Sequence, residues 1–580
     1  MTAPNRATLW GETIVDELVA AGVTGVCVAP GSRSTPLTAA VAAREDVAVF
    51  SHLDERSAAF FALGRSRRAG EPTALVCTSG TAAANFHPAV IEADQSRVPL
   101  VVLTADRPAE LHDSGANQTV DQERLYGDAV REYRTLPEPR MEARALRSVR
   151  VAVDRAVATA TGTPPGPVHL NAPFAKPLEP TDDGSVPGDI DRTAPLGAGG
   201  RDGPFVRTTA GRPTLEPAAV DHVASTLAAA DRGLLVAGPA PGSAPSRESL
   251  AALADATGFP VLADPLSGHR FGHDDAVPVC GGYDSYLDGA DAWPDPEVVV
   301  RFGASPTSKT LRHYLRDHAD RQFVVDAAGG WPEAEFTATD LLAADPTWLA
   351  SALAERLDPP SGSADYRERF AAAERTHWDA LDATDDHFEG AVLSAAASLA
   401  PDPSTLVVSN SMPVRDLDRF GRPRTADVSV EGNRGASGID GIVSTALGAG
   451  SATDEPLIAV LGDLAFYHDM NGLLAVGRCG VDATIVLVNN DGGGIFHVLP
   501  IEAFDPPFTD YFKTPHGIDF RPVGELYGLE YAVVDDQDGF LAAYRDSLTS
   551  DGTQIIEVRT DAAASHAVRD RLHGTVREDV

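Results

Sequence analysis

Asp463 and Asn490 stand 27 positions apart in a stretch that reads as strand, helix, strand and loop. Leu461-Gly462-Asp463-Leu464 is followed by Asp469-Met470-Asn471-Gly472. An apolar run, Ala483-Thr484-Ile485-Val486-Leu487-Val488, then leads into Asn489-Asn490-Asp491-Gly492-Gly493-Gly494. The pattern puts Asp463 and Asn490 at the ends of two adjacent parallel strands, on the edge where open α/β sheets bind ligands. A carboxylate, an amide oxygen and the backbone carbonyl of Gly492 are hard oxygen donors. Such a partial cage suits Mg²⁺, with Mn²⁺ as the alternative, because the ion keeps water and takes further oxygens from a phosphate-bearing ligand. An ordinary βαβ unit with a polar loop fits the same residues. Glu55 is the second candidate. It sits where Ser51-His52-Leu53-Asp54-Glu55-Arg56 opens a helical stretch. A Glu in a first helical turn is also favoured by the helix dipole alone.

The elements that must position these residues can be read along the chain. At 580 residues the chain is too long for one core, and three domains are expected. Residues 1–185 alternate apolar strands with helical stretches. The strands are Val23–Ala29, Thr73–Cys77, Pro99–Ala105 and Gly166–Asn171, and Thr78-Ser79-Gly80-Thr81 is expected to cap a helix. Residues 186–215 are rich in Asp, Gly, Pro and Thr and read as a linker. A second unit, 216–357, has strands at Gly233–Gly238, Val298–Gly303 and Gln322–Asp326. Its Gly238-Pro239-Ala240-Pro241-Gly242 loop lacks the dinucleotide fingerprint. Asp358-Pro359-Pro360-Ser361-Gly362-Ser363 marks a break, and 367–580 forms a third unit holding the Asp463/Asn490 pair. Short apolar runs between helices argue for α/β architecture with three doubly wound parallel sheets. The first and third units share a strand, Gly/Ser loop and helix style, compatible with an old duplication.

Composition excludes several functions. The net charge is −37, which argues against nucleic acid as a partner, since phosphate backbones need a basic surface. No apolar run is long enough to span a membrane, and no apolar signal core follows Met1-Thr2-Ala3-Pro4, so a cytoplasmic location is expected. Cys27, Cys77, Cys280 and Cys479 lie far apart and read as buried small hydrophobes, not as a disulfide frame or zinc site. The only lysines are Lys176, Lys309 and Lys513. Such acidity with so little Lys resembles proteins of salt-accumulating archaea, where salt screens the self-repulsion; a merely acidic mesophilic protein is the alternative.

The Gly-Asp followed by Asn-Asn resembles the diphosphate-and-metal motif of thiamine-diphosphate enzymes, with Leu464 standing where many members have Gly. Further stretches narrow the resemblance: Pro30-Gly31-Ser32-Arg33-Ser34, His52-Leu53-Asp54-Glu55-Arg56, Thr104-Ala105-Asp106-Arg107-Pro108, Gly115-Ala116-Asn117-Gln118, Asn410-Ser411-Met412-Pro413-Val414-Arg415, and Asn433-Arg434-Gly435-Ala436-Ser437-Gly438-Ile439-Asp440-Gly441. Together they are similar to the 2-succinyl-5-enolpyruvyl-6-hydroxy-3-cyclohexene-1-carboxylate synthases of menaquinone biosynthesis. The run from Asn433 to Gly441 is the most specific of them.

The resemblance implies a thiamine-diphosphate-binding fold with pyrimidine, middle and diphosphate domains. It implies decarboxylation of 2-oxoglutarate and 1,4-addition of a succinyl carbanion equivalent to isochorismate. Glu55 would hydrogen-bond N1′ of the aminopyrimidine, while Asp463, Asn490 and Gly492 hold the metal. Both substrates are polyanions, for which Arg is the suitable residue, because its planar fork binds carboxylates bidentately. The resemblance places Ser411, Arg415 and Arg434 on the distal carboxylate of 2-oxoglutarate. It places Ser32, Arg33, Arg107, Asn117, Gln118 and Lys309 on the isochorismate side. Lys309 also stands out as one of so few lysines, in an expected loop Ser305–Lys309. Ile439, Ile495 and Phe496 look like apolar walls around the cofactor and the reacting carbon. A homodimer or dimer of dimers with the active site at the subunit interface is implied as well.

Other readings remain. An acetohydroxyacid synthase or oxalyl-CoA-type decarboxylase would need a nucleotide-binding middle domain and would leave Ser32-Arg33-Ser34, Arg415 and Arg434 unexplained. A catalytically silent thiamine-binding scaffold would not need Glu55 beside an intact Asp463/Asn490 pair. His468, near the metal motif, fits a helix surface better than a ligand, and no His is expected to be catalytic.

Overall fold

The structure is a computed structural model that describes residues 3–240, 244–273, 277–358 and 363–580. The expected break at 358–366 and the Gly238–Gly242 loop therefore lie partly outside the described residues. Eighteen strands are described, in three six-stranded sheets. The first sheet contains β1 (Gly25–Ala29), β2 (Ala48–Ser51), β3 (Thr73–Cys77), β4 (Leu100–Asp106), β5 (Glu132–Thr135) and β6 (Val168–Pro173). The second contains β7 (Gly233–Ala237), β8 (Val261–Ala263), β9 (Val279–Cys280), β10 (Val298–Phe302), β11 (Gln322–Val325) and β12 (Asp340–Leu342). The third contains β13 (Ser404–Val408), β14 (Val428–Glu431), β15 (Leu457–Gly462), β16 (Thr484–Asn489), β17 (Glu530–Val534) and β18 (Gln554–Arg559).

Every strand pair within these sheets is parallel. The first sheet runs β2-β1-β3-β4-β6-β5, and the third, β14-β13-β15-β16-β18-β17, repeats that order position for position. This matches the shared style of the two units seen in the sequence. The second sheet, β12-β11-β10-β7-β8-β9, winds outward in both directions from its central pair β10-β7, as two-halved doubly wound sheets do. Central strands such as β1, β3 and β4 are buried along their whole length. Covered on both faces by helices, they need continuous apolar runs, and the sequence supplies them.

The contacts divide the chain into two compact units, described separately. One comprises Met1–Ala210, Asn433–Asp454 and Asp469–Val481. Its core packs Val26, Val28, Val76, Val101, Leu103 and Leu170 against Trp10, Ile14, Val149 and Val153 of the helices Arg6–Ala20 and Ala143–Ala160. On the opposite face runs the helix Glu55–Ala69. Asp54 caps it by accepting from the N–H of Arg56 at 2.8 Å, and Gly70 ends it in the left-handed conformation. Helix Ile442–Gly450 lies against it. Gly64 and Gly448 permit the close approach, since a Cβ on either would strike the backbone oxygen of Thr445 or Phe61. Residues 186–215 are poor in apolar groups, yet Ile190 and Ala194 are buried in this core. The carboxylates of Glu17 and Asp154 accept the N–H groups of Phe205 at 2.5 Å and Val206 at 2.6 Å.

The other unit comprises Gly211–Gly432, Glu455–His468 and Asp482–Val580 and holds the second and third sheets. Helix Ala364–Asp382 packs Tyr366, Phe370 and Ala373 onto the second sheet beside Leu234, Val236 and Val299. Buried Arg270 ties the second sheet to the third. Its Nη2 donates to Asp418 Oδ1 at 2.9 Å and to the Tyr283 hydroxyl at 2.8 Å. Cys27, Cys77 and Cys280 are buried free thiols and Cys479 is half-buried. No described helix is long and apolar enough to cross a membrane.

Candidate active site

In the compact unit that holds the second and third sheets, β15 and β16 are hydrogen-bonded neighbours, with Gly462 opposite Val488. Asp463 therefore begins a helix, Asp463–Asp469, right after β15, and Asn490 follows β16 on the same carboxyl edge. The adjacency expected from the spacing is present. Asp463 is 2 % exposed. Its Oδ2 accepts the Gly492 N–H at 2.9 Å and lies 3.2 Å from His516 Nε2, while Oδ1 accepts the Leu464 N–H at 2.7 Å. Burial pushes this carboxyl above its ordinary range, and the Gly492 N–H and His516 pull against that.

Asn490 is oriented from behind. Its Nδ2 donates to Glu389 Oε1 at 2.7 Å. The other Glu389 oxygen accepts from Arg569 Nη2 at 2.5 Å, and Arg569 also grips Asp416 at 2.6 and 2.7 Å. With its amide nitrogen so committed, Asn490 presents Oδ1, which is buried and has no hydrogen-bond partner. A carboxylate, an orphaned amide oxygen and a carbonyl at the end of two parallel strands fit a hard divalent cation. Among the described residues no cluster of three or more His, Cys, Asp or Glu side chains forms a metal site. The set at this edge is mixed: one carboxylate, one amide oxygen and one backbone carbonyl.

Ser411, Arg415, Ile495 and Phe496 follow β13 and β16 of the same sheet, whereas Lys309 follows β10 of the second sheet. Ser411 follows β13 with φ +72°. Arg415, in the first turns of helix Met412–Phe420, donates from Nη1 to the Ser411 carbonyl at 2.5 Å. Both are half-buried. Ile495 and Phe496 are half-buried in the short turn Gly494–Val498, and the Phe496 ring lies 5.5 Å from that of Phe512. Lys309 is exposed and opens the helix Lys309–His318 instead of lying in a loop, because Ser308 accepts the Leu311 N–H at 3.0 Å and starts the helix one residue earlier.

In the first unit, loops after β1, β3 and β4 are tied together. The Arg33 N–H donates to Thr78 Oγ1 at 3.2 Å, and its Nη1 donates to the Phe174 carbonyl at 2.6 Å. Arg107 Nη2 donates to the Asn117 carbonyl at 2.8 Å. Gln118 Nε2 donates to the Ser79 carbonyl, and Ser79 Oγ to the Gln118 carbonyl, each at 3.0 Å. Thr78 and Ser79 thus do not cap the following helix as expected; they fasten neighbouring loops, and helix Thr81–Asn85 starts without a side-chain cap. Arg33 is buried, whereas Ser32, Asn117 and Gln118 are exposed. Beneath them Gln122 accepts the Gly80 N–H at 2.9 Å and donates to Asn171 Oδ1 at 3.0 Å. Asn171 in turn donates to Asp106 Oδ2 at 2.8 Å.

Glu55 is the first residue of its helix and half-buried. It contributes, after burial, to raising the Cys77 thiol well above its usual range. Arg434 is half-buried and Ile439 is 36 % exposed, both on the loop before helix Ile442–Gly450. His468 is exposed at the end of its helix. Sequence reasoning missed His516, Glu389 and Arg569. Asn490 alone hinted at them, since a buried amide must be oriented by something.

Two family models match the chain. Residues 10–125 match the thiamine pyrophosphate enzyme N-terminal TPP binding domain, and residues 419–558 the corresponding C-terminal TPP binding domain. Among curated proteins, the chain is 64% identical to a 2-succinyl-5-enolpyruvyl-6-hydroxy-3-cyclohexene-1-carboxylate synthase of Haloarcula marismortui, covering 100% of this chain and 99% of that protein. It is 60% identical to the protein of the same name from Natronomonas pharaonis, over 100% of both. A third of that name, from Roseiflexus sp., is 48% identical over 98% of both.

Proposed function

Since the chain belongs to the 2-succinyl-5-enolpyruvyl-6-hydroxy-3-cyclohexene-1-carboxylate synthase family, whose members are thiamine-diphosphate-dependent enzymes, we propose that it decarboxylates 2-oxoglutarate and adds the remaining succinyl unit to isochorismate in a 1,4 sense. The products are 2-succinyl-5-enolpyruvyl-6-hydroxy-3-cyclohexene-1-carboxylate and CO₂, within menaquinone biosynthesis. The observation that carries this reading is the 64% identity along the whole chain to a protein of that name. When bound, thiamine diphosphate supplies the electron sink for the pair left behind by CO₂.

The chain's own groups divide the rest. The Asp463 carboxylate, Asn490 Oδ1 and the Gly492 carbonyl would hold Mg²⁺ or Mn²⁺, which would supply positive charge for the diphosphate. The burial of Asp463 and the orphaned Asn490 oxygen support this. Glu55 shares a proton at N1′ of the aminopyrimidine. Arg415, Arg434 and Ser411 bind the distal carboxylate of 2-oxoglutarate. Ser32, Arg33, Arg107, Asn117, Gln118 and Lys309 bind isochorismate. Ile439, Ile495 and Phe496 exclude water around the reacting carbon, which favours loss of charge as CO₂ leaves.

Residues 1–185, 216–357 and 367–580 correspond on this reading to the pyrimidine, middle and diphosphate domains, with 186–215 between them. The enzyme acts in the cytoplasm as a homodimer or dimer of dimers whose sites are shared between subunits. Purified protein incubated with thiamine diphosphate, Mg²⁺, 2-oxoglutarate and isochorismate should consume both substrates in equal amounts. CO₂ release without isochorismate consumption would mark a plain decarboxylase. Mixing Glu55→Gln with Asp463→Ala chains should restore activity if sites are shared; heterodimers that bind cofactor but stay inactive would exclude sharing.

A further inference from the structure

We propose that Glu92 is a positioning residue that seats the Arg434 loop for the 2-oxoacid substrate; the proposal rests on the reading that Arg434 binds the distal carboxylate. Glu92 lies on helix His87–Gln95 and is 2 % exposed. Its Oε1 accepts the N–H of Gly435 at 2.8 Å, and its Oε2 accepts those of Ala436 at 2.7 Å and Ser437 at 3.2 Å. Three successive amides, of Gly435, Ala436 and Ser437, thus converge on one carboxylate. Such a backbone concavity is an anion site, and here the anion is a side chain of the same unit.

The other side of the loop is held by the same cluster. Arg67 Nη2 lies 3.5 Å from Glu92 Oε1, and both side chains are nearly buried. Arg67 Nη1 donates to Asn433 Oδ1 at 2.9 Å, and Asn433 Nδ2 donates to Thr445 Oγ1 at 3.0 Å. Arg434 is therefore clamped between a fixed predecessor and three fixed successors. Gly435 completes the seat. A Cβ there would lie 2.6 Å from the Ser96 nitrogen and 2.9 Å from the Gln95 carbonyl carbon, so only glycine lets the loop rest on the helix end.

A buried carboxylate needs all of its partners, and those partners are the backbone that aims Arg434. A guanidinium fork binds a carboxylate bidentately only when its plane is fixed. Glu92→Gln keeps the shape but places an N–H₂ group where N–H donors converge, and it leaves Arg67 without its countercharge. The loop then loses its seat, while Asp463 and Asn490 keep the hydrogen bonds that hold them, none of which involves Glu92.

The test measures KM for both substrates in Glu92→Gln, Arg434→Ala and the double variant, with thiamine diphosphate affinity as a control. Glu92→Gln should raise KM for 2-oxoglutarate between about ten- and a hundredfold, with KM for isochorismate within about twofold of wild type and any loss of cofactor affinity, through Ile439 on the same loop, smaller than the loss for 2-oxoglutarate. In the Arg434→Ala background the same change should add little, because the residue it positions is gone. Gly435→Ala, which displaces the loop without touching the carboxylate, should reproduce the selectivity and serves as the second variant if Glu92→Gln does not fold. Equal effects on both substrates, or an effect that persists in full without Arg434, would overturn the proposal. A wild-type enzyme that turns over neither substrate would instead overturn the functional reading beneath it.

Discussion

Asn490 Nδ2 donates to Glu389 Oε1 at 2.7 Å, and this single bond leaves the other end of the amide, Oδ1, buried and unpartnered. The donor face of Asn490 is thus spent on the protein, and on the proposed reading its acceptor face meets the cation. Glu389 can do this only because Arg569 neutralises it, and Asp416 in turn holds Arg569. Glu389→Ala should act in two ways. It frees Asn490 to rotate, which should weaken metal-dependent thiamine diphosphate binding by about ten- to a hundredfold, the usual effect of losing a group that orients a metal ligand. It also removes one of the two countercharges of a buried guanidinium, at a cost of about 3 kcal/mol. Calorimetric titration of the cofactor at fixed Mg²⁺ and denaturant midpoints check the two effects separately. Unchanged cofactor affinity would mean that Asn490 is not a ligand.

Glu55→Gln should leave the fold and cofactor affinity nearly intact and remove most turnover. Asp54 starts the helix whatever the next residue is, so the substitution has little structural cost. The neutral amide cannot share a proton at N1′, and proton exchange at C2 of the bound cofactor should slow. Quenched-flow exchange read by NMR measures this directly; an unchanged rate would remove Glu55 from its assigned role.

What the sequence made legible follows from chain-local physics. Asp463 and Asn490 could be placed because each ends an apolar run whose direction and burial fix its position on a sheet edge. The helix expected to open at Ser51–Arg56 is present, and Asp54 and Gly70 cap its two ends. Residues that reach the site from remote segments carried no such signal. His516 lies 53 positions beyond Asp463, and Glu389 reaches Asn490 across 101 positions. Edge strands were hidden for a different reason. β5, Glu-Tyr-Arg-Thr, is only partly buried, and β9 has two residues, so neither needs an apolar run. Thr78 and Ser79 look like helix caps in sequence, but tertiary hydrogen bonds to Arg33 and Gln118 claim their hydroxyl and carbonyl groups. Ile190 and Ala194 show that a segment poor in apolar residues can still be anchored by two of them.

Arg415→Ala should raise KM for 2-oxoglutarate far more than that for isochorismate. A charge-assisted hydrogen bond of about 1.5–3 kcal/mol is lost, which is about one to two decades in affinity. Arg33→Ala should show the opposite selectivity. Arg33, however, also donates to the Phe174 carbonyl at 2.6 Å from a buried position, so its removal should lower the melting temperature as well. Arg415 is half-buried and donates to the Ser411 carbonyl on the same turn at 2.5 Å, and its loss should be milder for the fold. Steady-state kinetics with each substrate varied in turn, alongside thermal melts, separate the two. Equal KM effects from both variants would contradict the division of the site.

Salt should stabilise this protein. The net charge is −37 with only three lysines, and two of the relatives come from halophilic archaea. The screening length is about 3 Å at 1 M salt and about 30 Å at 0.01 M. At high KCl each surface carboxylate interacts with its nearest neighbours alone; at low KCl the whole acidic surface repels itself. The buried pairs, Arg569 with Glu389 and Arg150 with Glu17, are shielded from solvent ions and should change little. The loss should therefore appear first where carboxylates are exposed, and activity should fall before secondary structure does. Melting temperature and turnover measured from 3 M to 0.05 M KCl, roughly a fivefold or larger change in screening length, should decline together. Replacing KCl with a neutral osmolyte at equal osmotic strength should fail to rescue either one, because an osmolyte does not screen charge. Full activity and an unchanged melting temperature in dilute buffer would show that the acidic surface serves solubility alone.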